Sequence, residues 1–180
     1  MTSAEGGRVY RLEIAGTWNG GPLASGEHAR VDVELGDVIE VRVEASFHDD
    51  PPPDGPAGRL DGLWEYEVVE LFLLGAGDAY LEIELGPHGH WLGLGLEGRR
   101  RIVRDEIPID FRSEQRGDRW RGEARIEACF LPRSIRGVNA YALHGVGAER
   151  RYLAAHPVPG PAPDFHRLEH FAALDRHRLR

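Results

Sequence analysis

Residues 63–96 read LWEYEVVELFLLGAGDAYLEIELGPHGHWLGLGL, and the rest of the chain is organised around this stretch. Three apolar runs are separated by two glycine-containing segments, which predicts three consecutive strands joined by turns. Side chains alternate between the faces of a strand, so the run 68–74 has apolar residues on both faces and predicts a central strand. The run 80–85 alternates strictly and predicts a strand with only one buried face.

The alternation also assigns the side chains of the second and third runs to two faces. The buried face is expected to carry Leu81, Ile83, Leu85, Leu92, Leu94 and Leu96. The opposite face is expected to carry Tyr80, Glu82, Glu84 and Trp91. Gly93 and Gly95 fall on this second face, where their missing side chains would leave a hollow beside the Trp91 indole.

The other apolar segments predict a similar pattern of short strands. They lie at residues 9–14, 29–35, 38–47, 102–111, 120–130, 138–146 and 152–155. Short strands separated by frequent turn signals predict an all-β antiparallel sandwich or open barrel, here a single domain over residues 1–180 with its core at about 8–175. In the tail, Phe165, Leu168, Phe171 and Leu174 have the spacing of a short amphipathic helix.

The charge balance narrows the function classes. There are 22 basic and 30 acidic residues, a net charge of -8, which argues against nucleic acid as a partner. The basic cluster at 99–104 is interpreted as a solvated strand end or loop. Every basic side chain apart from histidine is arginine, so the sequence offers no lysine for Schiff-base chemistry or a phosphate-binding loop.

Cysteine usage and hydropathy bear on the cellular compartment of the protein. Cys129 is the only cysteine, which rules out a disulfide framework, and its apolar surroundings predict a small buried residue. The first residues do not resemble a signal peptide, and no stretch has the length and hydropathy of a membrane span. We therefore expect a cytoplasmic protein with no membrane partner, while the sequence leaves the oligomeric state open.

The face with Tyr80, Glu82, Glu84 and Trp91 is the first candidate binding site. An indole can stack on a pyranose ring, and carboxylates accept hydrogen bonds from sugar hydroxyls. The alternative is an ordinary solvated face. Trp64 follows the proline-rich loop 48–58 and is either a stacking residue at the rim or part of the core, of which the core is favoured.

Glu70 is unusual because it lies between Val68 and Phe72 on a strand that is apolar on both faces. A buried carboxyl group requires a hydrogen-bond donor or a shifted pKa. The candidate partners are Arg125, His144 and His166, and a structural pair with His166 is the favoured interpretation. The enzymatic alternative pairs Glu70 with Glu82 as acid and base on a sugar-like substrate.

Metal binding is a further alternative. His88 and His90, together with His48, Asp49 and Asp50, are side chains that zinc or iron could use. The carboxylates of Asp49, Asp50 and Asp54 could instead hold calcium in a loop. Neither set matches a specific motif, so the sequence assigns no metal ligand and no cofactor.

Several motifs together resemble a known family. Trp64, Glu67, Val69, Glu70 and Phe72, then 80–89, then 120–132 follow the strand motifs of family-9 carbohydrate-binding modules and the wider DOMON-like sandwiches, and Phe165-His166 with Phe171 resembles their closing strand. GLWEYEVVELFLL, YLEIELGPHG and PDFHRLEHF resemble, more closely, an uncharacterised family of small intracellular proteins with this module. The resemblance implies a jelly-roll-like antiparallel β-sandwich of the carbohydrate-binding-module type with little helix. Glu67 stands where those modules usually have aspartate, and a second stacking tryptophan is not evident. The resemblance therefore supports the fold more strongly than it supports the same ligand.

Three functions follow from these patterns. The first is a non-catalytic module that binds a carbohydrate or another small polar ligand, the second is the enzyme with a carboxylate pair, and the third is a protein-interaction domain without a ligand site. No catalytic residue is assigned. The predicted ligand-binding residues are Trp64, Glu70, Tyr80, Glu82, Glu84, Trp91, His144 and His166.

Overall fold

The computed structural model describes residues 8–179, and its regular secondary structure is almost entirely β-strand. In chain order these are β1 (Arg8–Ile14), β2 (Gly16–Thr17), β3 (Ala29–Leu35), β4 (Val38–Ser46), β5 (Gly58–Arg59), β6 (Val68–Leu74), β7 (Ala79–Leu85), β8 (His90–Glu97), β9 (Ile102–Arg104), β10 (Asp110–Arg116), β11 (Arg119–Glu127), β12 (Gly137–His144), β13 (Arg151–Ala154) and β14 (Ala172–Ala173). Short 3-10 turns lie at Leu63–Glu65, Ala76–Asp78, Ala128–Phe130, Gly147–Glu149, Leu168–His170 and Leu174–His177. Within residues 8–179 no helix is long and apolar enough to cross a bilayer.

The strands form two sheets. The five-stranded sheet has the order β1-β3-β4-β11-β10, and the nine-stranded sheet has the order β2-β13-β12-β6-β7-β8-β5, with β14 beside β12 and β9 beside β8. All pairings are antiparallel except that of β5 with β8. This arrangement confirms the predicted antiparallel β-sandwich with little helix.

The sheets pack face to face over an apolar core. The five-stranded sheet contributes alternate side chains such as Val31, Val41 and Ile126, while its outer face carries arginine-carboxylate pairs such as Arg11 with Asp32. The nine-stranded sheet contributes Leu71 and Ile83, among others. The period of two in the sequence therefore predicts this core well.

A second apolar cluster covers the outer face of the nine-stranded sheet. Phe72, Tyr80 and Tyr141 pack there against Val158 and Phe165 of the chain that follows β13. As a result β7 is buried on both faces, and the prediction of a strand with one solvated face is wrong. The cause is tertiary: a proline-rich segment folds back over side chains that alternation alone would expose to water.

Three further expectations are corrected by the structure. The tail at 165–174 forms a 3-10 turn and the short strand β14 instead of an amphipathic helix, because its main chain pairs with the start of β12. The segment 102–111 is divided into β9 and the start of β10 by an irregular stretch. Cys129 is exposed, since β11 ends at Glu127 and Cys129 lies on the 3-10 turn that follows it.

Candidate functional site

A cavity of about 580 Å³ opens on the outer face of the nine-stranded sheet. This volume falls within the range of about 300–1,000 Å³ that small-molecule sites typically occupy. The lining comes from the strands of the floor, two loops and the proline-rich segment. The lining residues are Trp64, Glu65, Glu70, Glu82, Leu94, Leu96, Arg100, Ile102, Leu143, Gly145, Val146, Gly147, Arg150, Tyr152, Pro163, Phe165 and His166.

Two glutamates form the polar part of the floor. Glu70 of β6 and Glu82 of β7 lie on neighbouring strands and face the cavity. Glu84 lies directly opposite Glu70 in the strand register but does not line the cavity. Exposed fractions are 2% for Glu70, 5% for Glu82 and 0% for Glu84, so three carboxyl groups are buried together on one face of a sheet.

Burial controls the ionisation of these carboxyl groups. Loss of solvation raises the pKa of Glu82 to about 8. Burial and the nearby Glu82 carboxyl raise the pKa of Glu70 well above its ordinary value, although the positive charge of Arg150 opposes the change. Burial, followed by the charges of Glu70 and Glu82, likewise raises the pKa of Glu84. Oε2 of Glu82 and both carboxyl oxygens of Glu84 are closed to solvent, and the two carboxyl groups lie close enough to share a hydrogen bond when one of them is protonated.

The rim of the cavity is held in place by Arg150. Its guanidinium donates to the main-chain oxygens of Trp64 and Tyr66, both at 2.7 Å, and to that of Gly145 at 2.9 Å. These bonds join the turn before β6 to the loop after β12. Trp64, on that turn, is 45% exposed and borders the cavity, so the favoured prediction of a core position is wrong and the rim alternative describes it.

The opposite wall is built on a tyrosine and a histidine. Tyr80 accepts a hydrogen bond from the main-chain N–H of Arg100 at 3.2 Å, and its hydroxyl lies 2.7 Å from Nδ1 of His166. Burial, with the positive charges of Arg100 and Arg99, lowers the pKa of His166 to about 4. The neutral ring then accepts at Nδ1 a hydrogen bond that the Tyr80 hydroxyl donates. Phe165 stacks on Tyr141 with ring centroids 3.9 Å apart and completes the wall.

The structure brings together part of the predicted site. Trp64, Glu70, Glu82 and His166 line the cavity. Tyr80 and Glu84 lie on the same face but beneath the lining. Trp91 and His144 lie on the other side of the sheet.

The position of Trp91 shows that the prediction of which face of β8 adjoins the glutamate face of β7 is wrong. Residues opposite each other in an antiparallel pair share a face, and Trp91 is opposite Leu85, whereas Leu94 is opposite Glu82. The leucines of β8 therefore join the glutamate face and Trp91 packs toward the core between the sheets. The expected hollow is filled too, because a Cβ at Gly93 would lie only 3.0 Å from the main-chain oxygen of Ile107.

The predicted partners of Glu70 are all engaged elsewhere. Arg125 pairs with Glu40 at 2.7 Å on the five-stranded sheet. His144 bonds to Glu27 at 2.9 Å and stacks on His48 at one end of the sandwich. His166 bonds to Tyr80, so the favoured structural pair is wrong. Glu70 instead faces the cavity, with Arg150 as the cation whose charge acts on it.

Sequence reasoning missed Arg150, Arg100 and Phe165. Arg100 belongs to the basic cluster interpreted as solvated, and it is exposed but positioned at the mouth of the cavity. Arg150 and Phe165 lie in irregular segments, where no periodicity indicates which face they approach. For Phe165 the sequence signal was limited to the proline-rich stretch after β13, which indicates an extended segment able to cross a sheet, and for Arg150, before β13, there was none.

The metal alternatives find no support in the geometry. Within residues 8–179 no three His, Cys, Asp or Glu side chains converge closely enough to hold an ion. Asp50 accepts a hydrogen bond from the main-chain N–H of Gly145, and its carboxylate is thereby directed at the rim loop.

Comparisons with known proteins identify relatives along most of the chain. No family model matches. The mouse (Mus musculus) UPF0462 protein C4orf33 homolog is 41% identical over 172 residues, 89% of this chain and 88% of the mouse protein. Human (Homo sapiens) UPF0462 protein C4orf33 is 38% identical over 180 residues, 93% of this chain and 89% of its own. The zebrafish (Danio rerio) homolog is 39% identical over 170 residues, 88% of this chain and 85% of its own.

Solved structures share the fold. A candidate carbohydrate-binding protein from Bacteroides uniformis superposes with a TM-score of 0.69 at 18% identity, over 93% of this chain and 85% of that one. A family-9 carbohydrate-binding module from Caldicellulosiruptor kristjanssonii in complex with glucose gives a TM-score of 0.56 at 16% identity, over 84% and 77%. These similarities confirm the resemblance that the sequence motifs indicated, and at such identities they concern the fold.

Proposed function

Because this chain belongs to the UPF0462 family and carries its cavity on a sandwich like that of carbohydrate-binding modules, we propose that it is a non-catalytic module that binds a carbohydrate or another small polar ligand. A cytoplasmic location stays a prediction from the sequence.

The observation that carries this proposal is an exposed indole beside a floor of buried carboxyl groups. A pyranose has an apolar ring face and a hydroxyl-bearing edge. Trp64 offers a surface for the ring face, and protonated carboxyl groups both donate hydrogen bonds to hydroxyls and accept them. Phe165 and Tyr152 add apolar surface on the other side of the cavity.

The ionisation of the floor favours binding over glycoside hydrolysis. Glu70 and Glu82 line one cavity, as the enzymatic alternative requires. Hydrolysis, however, requires one ionised carboxylate beside one protonated acid. Here burial is the leading cause of a raised pKa in both groups, so their environments do not separate the two roles.

Replacement of Trp64 tests the proposal. We expect saccharides such as glucose and cellobiose to raise the melting temperature of the protein and to bind in isothermal titration calorimetry. Trp64→Leu should weaken that binding about tenfold, because it removes the stacking surface. Trp91→Leu is the matched control, since its indole lies on the other side of the sheet. If a broad panel of saccharides fails to bind, or if both variants bind equally well, the proposed site is wrong.

A further inference from the structure

We propose that the ligand of this cavity carries a protonated amino group, as an amino sugar does, and that this group lies between Glu70 and Glu82. The inference rests on the proposed function, because it assigns a ligand class to the same cavity. It adds a charge requirement that neutral sugars do not meet.

Among the described residues, no N–H group donates a hydrogen bond to the carboxyl groups of Glu70 and Glu82. Glu70 is 2% exposed, it lines the cavity, and its carboxyl group has no hydrogen-bond partner among the described residues; Glu82, 5% exposed, lines the cavity beside it. Buried polar atoms without partners are rare in folded proteins and indicate a missing group. An ammonium group has three donors and no acceptor, and so complements a site made of carboxyl oxygens.

The cations near the floor direct their hydrogen bonds to other groups. Arg150 donates to the main-chain oxygens of Trp64, Tyr66 and Gly145. Arg100 donates to Asp164 at the mouth. The titratable and charged side chains around the floor are Glu65, Glu70, Tyr80, Glu82, Glu84, Arg99, Arg100, Tyr141, Arg150, Tyr152, Asp164 and His166. Carboxyl groups dominate its buried part, where His166 is neutral near pH 7 because its pKa is lowered to about 4.

The raised pKa of Glu82 allows a cationic ligand to convert it to a carboxylate on binding. A carboxyl group with a pKa of about 8 is mostly protonated at pH 7, yet little free energy is required to ionise it. An ammonium beside Glu82 would favour the carboxylate, and the attraction between opposite charges is stronger in a partly dry cavity than in water. Hydroxyl groups of a neutral sugar supply no such charge.

The test compares matched sugars on the same protein. Titration calorimetry at pH 7 would measure binding of glucosamine and 6-amino-6-deoxyglucose against glucose and N-acetylglucosamine. We expect at least one amino sugar to bind roughly tenfold to a hundredfold more tightly than its neutral counterpart. Glu82→Gln should reduce that ratio to near one, whereas Glu114→Gln, at an exposed position on the five-stranded sheet away from the cavity, should leave it unchanged.

The outcomes separate this inference from the proposed function. Glucose binding as tightly as both amino sugars would overturn the charge requirement and leave the saccharide site in place. An amino-sugar preference that persists in Glu82→Gln would also overturn the proposed position of the amine. Failure of all four sugars to bind the wild-type protein would contradict both proposals.

Discussion

Glu82→Gln is expected to stabilise the protein relative to wild type by an amount that grows as the pH rises from 5 to 8.5. Glutamine has nearly the same shape as a protonated glutamate but cannot ionise. As the pH rises, the wild-type carboxyl group either stays protonated or ionises in a buried site, and both cost free energy in the folded state relative to the unfolded state. The Glu82→Gln variant has no such cost, because glutamine does not ionise.

The direction follows from the pKa values of the two states. Burial raises the pKa of Glu82 from its ordinary 4.5 to about 8 in the folded protein. The folded state therefore holds this proton more tightly than the unfolded state does. The resulting stability is fully present below pH 4.5 and is lost as the pH rises through 8. Each pH unit in this window changes the free energy of unfolding by at most about 1.4 kcal/mol, so a change of at least about 2 kcal/mol is expected between pH 5 and 8.5.

Urea unfolding of wild type and Glu82→Gln at several pH values would measure this change. The difference between the two proteins is informative because titration of the histidines largely cancels in it. Glu65→Gln serves as the control, since Glu65 is an exposed glutamate at the rim of the same cavity. Parallel stability curves for wild type and Glu82→Gln would contradict the burial-driven ionisation of the floor.

The strands of this fold could be predicted because their alternation is local. The run 68–74 is apolar on both faces and does form a central strand, flanked by β12 and β7. Local alternation does not, however, determine which faces of neighbouring strands coincide. A shift of one residue in the register of β8 exchanges its leucines with Trp91, and both arrangements place apolar side chains on each face.

The candidate site was harder to predict because distant segments complete it. Glu70 was recognised as unusual from its apolar neighbours alone. Its surroundings depend on Arg150 and Phe165, which lie 80 or more positions later in irregular chain. Such contacts leave no periodic signal in the sequence. The buried glutamates thus marked the site, while its walls required the structure.

A second large effect on stability is expected at the end of the sandwich that carries the rim loop. Glu27→Gln should destabilise the protein by about 2 kcal/mol at pH 7. The Glu27 side chain is 3% exposed and accepts hydrogen bonds from Nε and Nη2 of Arg151 at 2.7 and 2.9 Å. It also lies 2.9 Å from Nε2 of His144. The partial exposure of Arg151 limits the loss, because solvent screens part of the attraction.

This loss should disappear in acid, which distinguishes it from a simple packing defect. Burial opposes ionisation of Glu27, but the hydrogen bonds from Arg151, the main chain of Ala24 and His144 outweigh it and lower the pKa to about 2. The carboxylate therefore contributes stability above pH 4.5 that is lost as the pH falls through 2. Unfolding measured from pH 7 toward pH 2 should show the curves of wild type and Glu27→Gln converging.

Glu40→Gln is the matched control for Glu27→Gln, because Glu40 also accepts from two arginines, Arg42 and Arg125, but on the solvated face of the five-stranded sheet. Exposed ion pairs contribute about 0–1 kcal/mol, so this variant should be nearly as stable as wild type at every pH. An equal loss in both variants would mean that the burial of Glu27 does not strengthen its ion pair. A loss confined to Glu27→Gln would show that burial strengthens this ion pair, which lies beside the rim because His144, bonded to Glu27, precedes the Gly145 to which Asp50 and Arg150 bind.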